Sequence, residues 1–230
     1  MKKFALLALS FMLTNTYAFN CMGDCQLGKQ TVDFVNSASN LTLNQTTVMG
    51  DVHVAGKLQA TAVKLKNLAA AGKTDLDNTI VENDAKIAGK LTAHGSTFNG
   101  DVFLAAKASF SNSKLNKQLN TTGKTELINS RVRGKTKSAG VLVAKRSIFD
   151  SSVKLAGDNA IFSNTQLNSD LIVESKDKTP TIEMICGSTV KGQISFEGEP
   201  GIVKTEQTSK AKFKIKNGRL EKITEVTCSD

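Results

Sequence analysis

Apolar residues run along this chain in short alternating pairs, such as Val52 and Val54, Ala85 and Ile87, Val102 and Leu104, and Val153 and Leu155. Gly, Asn, Asp or Lys interrupts the alternation every few residues. Alternation this brief predicts short strands with one face buried. The strands also recur at a fixed distance. Gly56, Gly72, Gly89, Ala106, Gly123, Gly140 and Gly157 are spaced by 16 residues once and by 17 thereafter. Seven residues after this position stands a hydroxyl, with an apolar residue two places on: Thr46 with Val48, Thr79 with Val81, Ser96 with Phe98, Ser113 with Leu115, Ser130 with Val132, Ser147 with Phe149. Insertions shift the later pairs to Thr165 with Leu167 and Ser188 with Val190, and Ser209 with Ala211 is expected to be the last. The one short unit places Val63 and Leu65 there instead.

A unit of this length cannot bury its own apolar face, so successive units must stack. Three strands per unit describe one coil of a parallel β-helix, and each sequence column becomes a ladder of like residues ~4.8 Å apart. The expected fold is all-β: a right-handed parallel β-helix (β-solenoid) of about ten coils of ~17 residues. A left-handed hexapeptide helix is the rival winding, but its six-residue period is absent. The column glycines are expected to permit φ > 0 and a tight bend without a Cβ clash at a corner. The hydroxyls are expected to point inward and bond neighbouring backbone groups. The alanines before the corners (Ala55, Ala71, Ala88, Ala105, Ala139, Ala156) fit a crowded bend.

The ends depart from the repeat. Residues 1–18 read as a cleavable secretory leader: basic Lys2 and Lys3, the apolar run FALLALSFML, then Thr16 and Ala18 before a cut after Ala18. That run is too short to span a bilayer. The mature chain is therefore expected to be secreted or periplasmic, with no integral membrane segment. A lipid on Cys21 is the rival, but Phe19 and Asn20 are not the small residues such a site needs. Residues 19–38 are expected to form an N-terminal cap, residues 39–205 the helix, and residues 206–230 a final coil or β-hairpin cap. The hairpin expectation rests on Asn217-Gly218 between alternating apolar residues, and open β-helix ends need such protection.

Cys21, Cys25, Cys186 and Cys228 all survive the expected cleavage. In an oxidising compartment four cysteines imply two disulfides. Cys21–Cys25 with Cys186–Cys228 ties down each end and is the expected connectivity of the three possible. A zinc site from all four is the alternative, although the CxxxC has no CxxC partner. Composition removes other options. There is no Trp, and the single Tyr, Tyr17, falls in the leader, so the mature chain lacks the usual stacking platforms for sugars. Only Phe is left to stack nucleobases. Net charge is +9, or +7 without Lys2 and Lys3, which favours an anionic partner.

Three Gly-Lys-Thr tripeptides, at 72–74, 123–125 and 134–136, look like the end of a phosphate-binding loop. That loop needs Gly five residues earlier, where Asn67, Gln118 and Asn129 stand. The strand repeat also continues where a helix should follow, so neither nucleotide nor other cofactor is expected. Lys57, Lys73, Lys90, Lys107 and Lys124 instead follow the corner in five consecutive coils. They predict a basic stripe able to hold lipopolysaccharide, an anionic polysaccharide or DNA by charge alone, without base readout. The competing role is to solvate the edge and oppose lateral aggregation. Asp84 and Asp101 share a column in adjacent coils, with Asp51 two coils before Asp84. Paired carboxylates ~5 Å apart suit a retaining glycosidase or calcium, but Asp is also an ordinary corner residue. His53 and His94 fall in different columns and are expected on the surface.

TTVMGDVHVAGKL (46–58), STFNGDVFLAAKA (96–108) and STVKGQISFEG (188–198) resemble the recurrent coil of bactofilins and related polymer-forming β-helix proteins. The resemblance spans roughly residues 40–200 and implies a right-handed β-helix that polymerises end to end as a cytosolic scaffold without enzymatic activity. The leader, the four cysteines and the expected caps depart from that pattern. The function expected overall is a secreted, non-catalytic structural or surface-interaction protein that contacts an anionic polymer or self-associates. A polysaccharide lyase or glycosidase using Asp84 and Asp101 is the alternative.

Overall fold

The computed structural model describes residues 17–230 apart from residues 177, 210, 225, 227, 229 and 230. Most of the expected leader therefore lies outside the described residues. Those described form short strands and no helix, so among the described residues no helix is long and apolar enough to cross a membrane. The strands pair in parallel, coil on coil. Leu91–His94, Thr97–Phe98 and Val102–Leu104 each lie beside the strand 17 residues later, Ala108–Ser111, Lys114–Leu115 and Leu119–Thr121. The fold is thus the expected β-solenoid of ~17-residue coils.

One face of it holds twelve strands, from Cys25–Leu27 to Gly218–Ile223, which at ~4.8 Å per step span about 53 Å. There are twelve coils where about ten were expected, because both ends join the ladders. Ala18–Cys21 pairs in parallel with Phe34–Ser37, so the residues expected to cap the N-terminus make the first coil. Lys214–Lys216 and Gly218–Ile223 pair in parallel with Gln193–Gly198 and Gly201–Glu206. The expected hairpin at Asn217-Gly218 does not form. A type I′ turn needs φ > 0 at both central residues, and only Asn217, at φ 54°, has it. In this last coil Lys222 takes the column of the buried Thr205 and donates to the carbonyls of Glu206 (3.3 Å) and Ser209 (3.1 Å).

The left-handed residues are not the column glycines. Eight of them, Gln45, Ala62, Asn78, Gly95, Asn112, Asn129, Arg146 and Asn164, with φ between 48° and 58°, stand one place before the hydroxyl column, and the others among the described residues are Cys186, Gly187, Gly198 and Asn217. Asn recurs there because its short polar side chain tolerates this conformation. Of the two reasons expected for the column glycines, the absence of a Cβ clash is the one that applies: a Cβ on Gly72 would collide with the carbonyl oxygen of Gly56, and one on Gly89 with that of Gly72.

Thr46, Thr79, Ser96, Ser113, Ser130, Ser147, Thr165 and Ser188 are all buried. The Ser96 N–H donates to Ser113 Oγ (3.3 Å), the Ser113 N–H to Ser130 Oγ (3.1 Å) and the Ser130 N–H to Ser147 Oγ (3.2 Å). Each hydroxyl donates onward to a carbonyl, as Ser130 does to Ile128 O at 2.8 Å. The column thereby satisfies backbone groups that the corner would leave orphaned. Val63 and Leu65 fill the same place with buried apolar groups. Ser209 does not extend the column; it is half-buried and accepts the Ala211 N–H within its own turn. Inside, Phe98 with Phe110 and Phe149 with Phe162 pack edge to face, ring centroids 5.7 and 6.1 Å apart. Cys21–Cys25 and Cys186–Cys228 are the two disulfides, compatible with an extracytoplasmic location.

Candidate polyanion-binding edge

Each lysine of the expected stripe sits one residue before a strand of the twelve-stranded face, and its carbonyl is fixed by the preceding coil. The N–H groups of Leu41, Leu58, Thr74, Leu91 and Ala108 donate to the carbonyls of Lys57, Lys73, Lys90, Lys107 and Lys124 at 2.8–3.0 Å. These bonds hold the five residues in register on consecutive coils. Lys73, Lys90, Lys107 and Lys124 are exposed and Lys57 is half-buried. Lys73 pairs with Asp75 at 2.8 Å. Among the described residues the other four have no acidic partner within ion-pair distance. Two unit charges one coil step apart repel by about 0.9 kcal/mol in water. Splaying of the side chains relieves part of this, and a bound polyanion would reverse it.

The carboxylate column also has the expected register, Asp51 beside Asn67 and onward to Asp84 and Asp101. Its oxygens are engaged by neighbouring coils. Asp51 Oδ1 accepts from Asn67 Nδ2 (2.7 Å), Asp84 Oδ1 from the Asp101 N–H (2.9 Å), and Asp101 Oδ1 from the Gln118 N–H (3.0 Å). Asp170 repeats the bond with the Gln193 N–H at 2.8 Å. These acids therefore close corners. Both histidines are exposed and lie apart, His53 against Asn36 (3.2 Å) and His94 between Asp77 (2.9 Å) and Asn112 (3.3 Å). No group of three or more His, Cys, Asp or Glu with metal-ligating geometry occurs among the described residues.

Two ion pairs perturb titration. Arg131 holds Asp150 through Nε (2.7 Å) and Nη2 (3.0 Å), and this pairing keeps the Asp150 carboxyl below the usual carboxylate range. Lys154, 2.7 Å from Glu174, does the same to Glu174 and has its own pKa raised in return. The left-handed corner was missed in the sequence although Asn78, Asn112, Asn129 and Asn164 stand one residue before their hydroxyls. No family model, curated protein or solved structure matches this chain.

Proposed function

We propose that the chain is an exported, non-catalytic β-solenoid that holds an anionic polymer along the Lys57–Lys124 edge. The observation that carries this reading is the register. Five lysines stand on consecutive rungs and four of them lack an acidic neighbour among the described residues. The rungs are closer than the ~10 Å Debye length at 0.1 M salt, so a polymer would meet them as one charged line. The leader-like residues 1–18 and the two disulfides support export. Right-handed winding belongs to the same proposal, on the general handedness of parallel crossovers. The likeness to bactofilins enters through the coil pattern alone. Lys222 in an inward column of the last coil opposes stacking of another copy at that end, which favours polymer binding over end-to-end assembly. The engagement of Asp84 and Asp101 by backbone N–H groups favours it over glycoside chemistry.

Retention of the purified protein on heparin resin at low salt tests the proposal. Wild type should be retained and elute with salt, and Lys73→Glu with Lys90→Glu should elute markedly earlier. Passage of wild type through the resin would refute it.

A further inference from the structure

An open groove of about 1410 Å³ runs along the solenoid, lined from Asn20 to Glu174 over ten coils. Its floor includes Ala55, Ala71, Ala88 and Ala105, all exposed; they line a concavity, not the crowded bend that the sequence suggested. The inward column beside them is not fully sealed. Val54, Ala70, Ile87 and Leu104 keep 2–5% exposure, whereas Val52, Ala85 and Val102 on the adjoining column keep none. One wall carries Phe103, 40% exposed, between Lys86 and Asn120, with Lys137 on the coil after Asn120. The lysine ladder stands two residues along the chain from each of these alanines, outside the groove's own lining.

Size and charge select the occupant. Ten coils span about 43 Å at ~4.8 Å per step, so the volume corresponds to a mean cross-section of about 33 Å². A helix of ~10 Å diameter needs about 80 Å² to be enclosed, so it could rest on the open groove but not be held within it as a single chain would be. The most apolar stretch, from Val54 to Ala105, extends about 14 Å over three coil steps. That is close to the ~15 Å that an acyl chain covers in one leaflet of a bilayer core. The lining is basic: Lys86, Lys137, Lys154 and Glu174 sum to +2, and the lysine ladder stands two residues along the chain from the groove's alanines. We infer that the groove takes the acyl chain of an anionic amphiphile, with its charged head against the flanking lysines. The inference rests on the lysine-ladder reading and narrows its ligand to an anion carrying a long apolar chain.

The probe is cis-parinaric acid, a fluorescent long-chain carboxylate, titrated into the purified exported protein, with its methyl ester and heparin resin as parallel arms. Saturable binding of the acid is expected, with the ester weaker. Ala71→Trp with Ala88→Trp should weaken it ~tenfold or more, while heparin retention and the circular-dichroism melt stay as in wild type. If the acid fails to bind, or the Trp pair leaves its binding unchanged, while heparin is still retained, the groove inference is overturned and the ladder reading stands. If neither ligand binds, both fall. A wild-type dimer that the Trp pair dissociates, seen by light scattering, would assign the groove to a second copy and overturn the inference.

Discussion

Replacing Ser130 by Ala removes the oxygen that accepts the Ser113 N–H at 3.1 Å, in a corner where Ser113 is only 1% exposed and water cannot take its place. It also frees the Ile128 carbonyl that Ser130 Oγ bonds at 2.8 Å. An orphaned buried donor costs about 1–3 kcal/mol, so the expected loss is ~2 kcal/mol. In a chain of this size that lowers Tm by ~4–8 °C. Ser130→Thr keeps the hydroxyl, as Thr79 and Thr165 do in the same column, and should stay within ~0.5 kcal/mol of wild type. Ser111→Ala is the control: half-buried, it should also cost less than ~0.5 kcal/mol. Urea unfolding followed by circular dichroism is the assay, because a chain with no Trp has no tryptophan fluorescence to follow. If Ser130→Ala costs no more than Ser111→Ala, the hydroxyl ladder does not hold the corners and the reasoning fails.

Gly72→Ala should destabilise by ~2 kcal/mol or more, because its Cβ meets the Gly56 carbonyl; Gly157→Ala, whose Cβ would lie 3.1 Å from the Gly140 oxygen, should cost clearly less in the same melts. Removing Cys186–Cys228, which closes a separation of 42 residues, should cost about 4 kcal/mol, against about 2 kcal/mol for Cys21–Cys25 with its separation of 4. Denaturation of the paired Ser variants measures both. The Asp150 carboxyl has its pKa lowered in the folded state, so its contribution is present above the unfolded value of ~3.9 and lost as pH falls through the folded value. Asp150→Asn should therefore be less stable than wild type at neutral pH and converge with it in acid, as unfolding at both pH values would show.

The solenoid was legible because stacking turns a period into a column, and the Thr46–Ser188 hydroxyls and their apolar partners marked it. The ends were less so. The first coil has Gln30 where the next has Thr46, as the pairing of Thr31 with Thr47 shows, and so it lacks the marker. Asn217-Gly218 looks alike whether it turns a hairpin or a solenoid corner, and only the parallel partners of Lys214–Lys216 and Gly218–Ile223 separate the two. Glycine posed a similar ambiguity. A residue needed for positive φ and one needed for close approach share a letter, and Gly95 is the first kind while Gly72 is the second. Gln45, Ala62 and Arg146 blurred the Asn signal at the true left-handed corner. The lysine and aspartate columns could be placed by counting. That the aspartates spend their oxygens on backbone N–H groups could not, since it depends on side-chain orientation at the bend. Nor could the groove, because a small residue at a corner reads the same whether it faces a neighbour or solvent.

The lysine edge is tested most directly by the salt dependence of binding to a heparin oligosaccharide, measured by isothermal titration. If Lys57, Lys90, Lys107 and Lys124 meet the polymer together, log K should fall linearly with log salt. Each Lys→Ala substitution among them should reduce the slope by about one unit, as for DNA contacts. A slope that does not change when Lys90 and Lys107 are both removed would place the contact elsewhere and contradict the central claim.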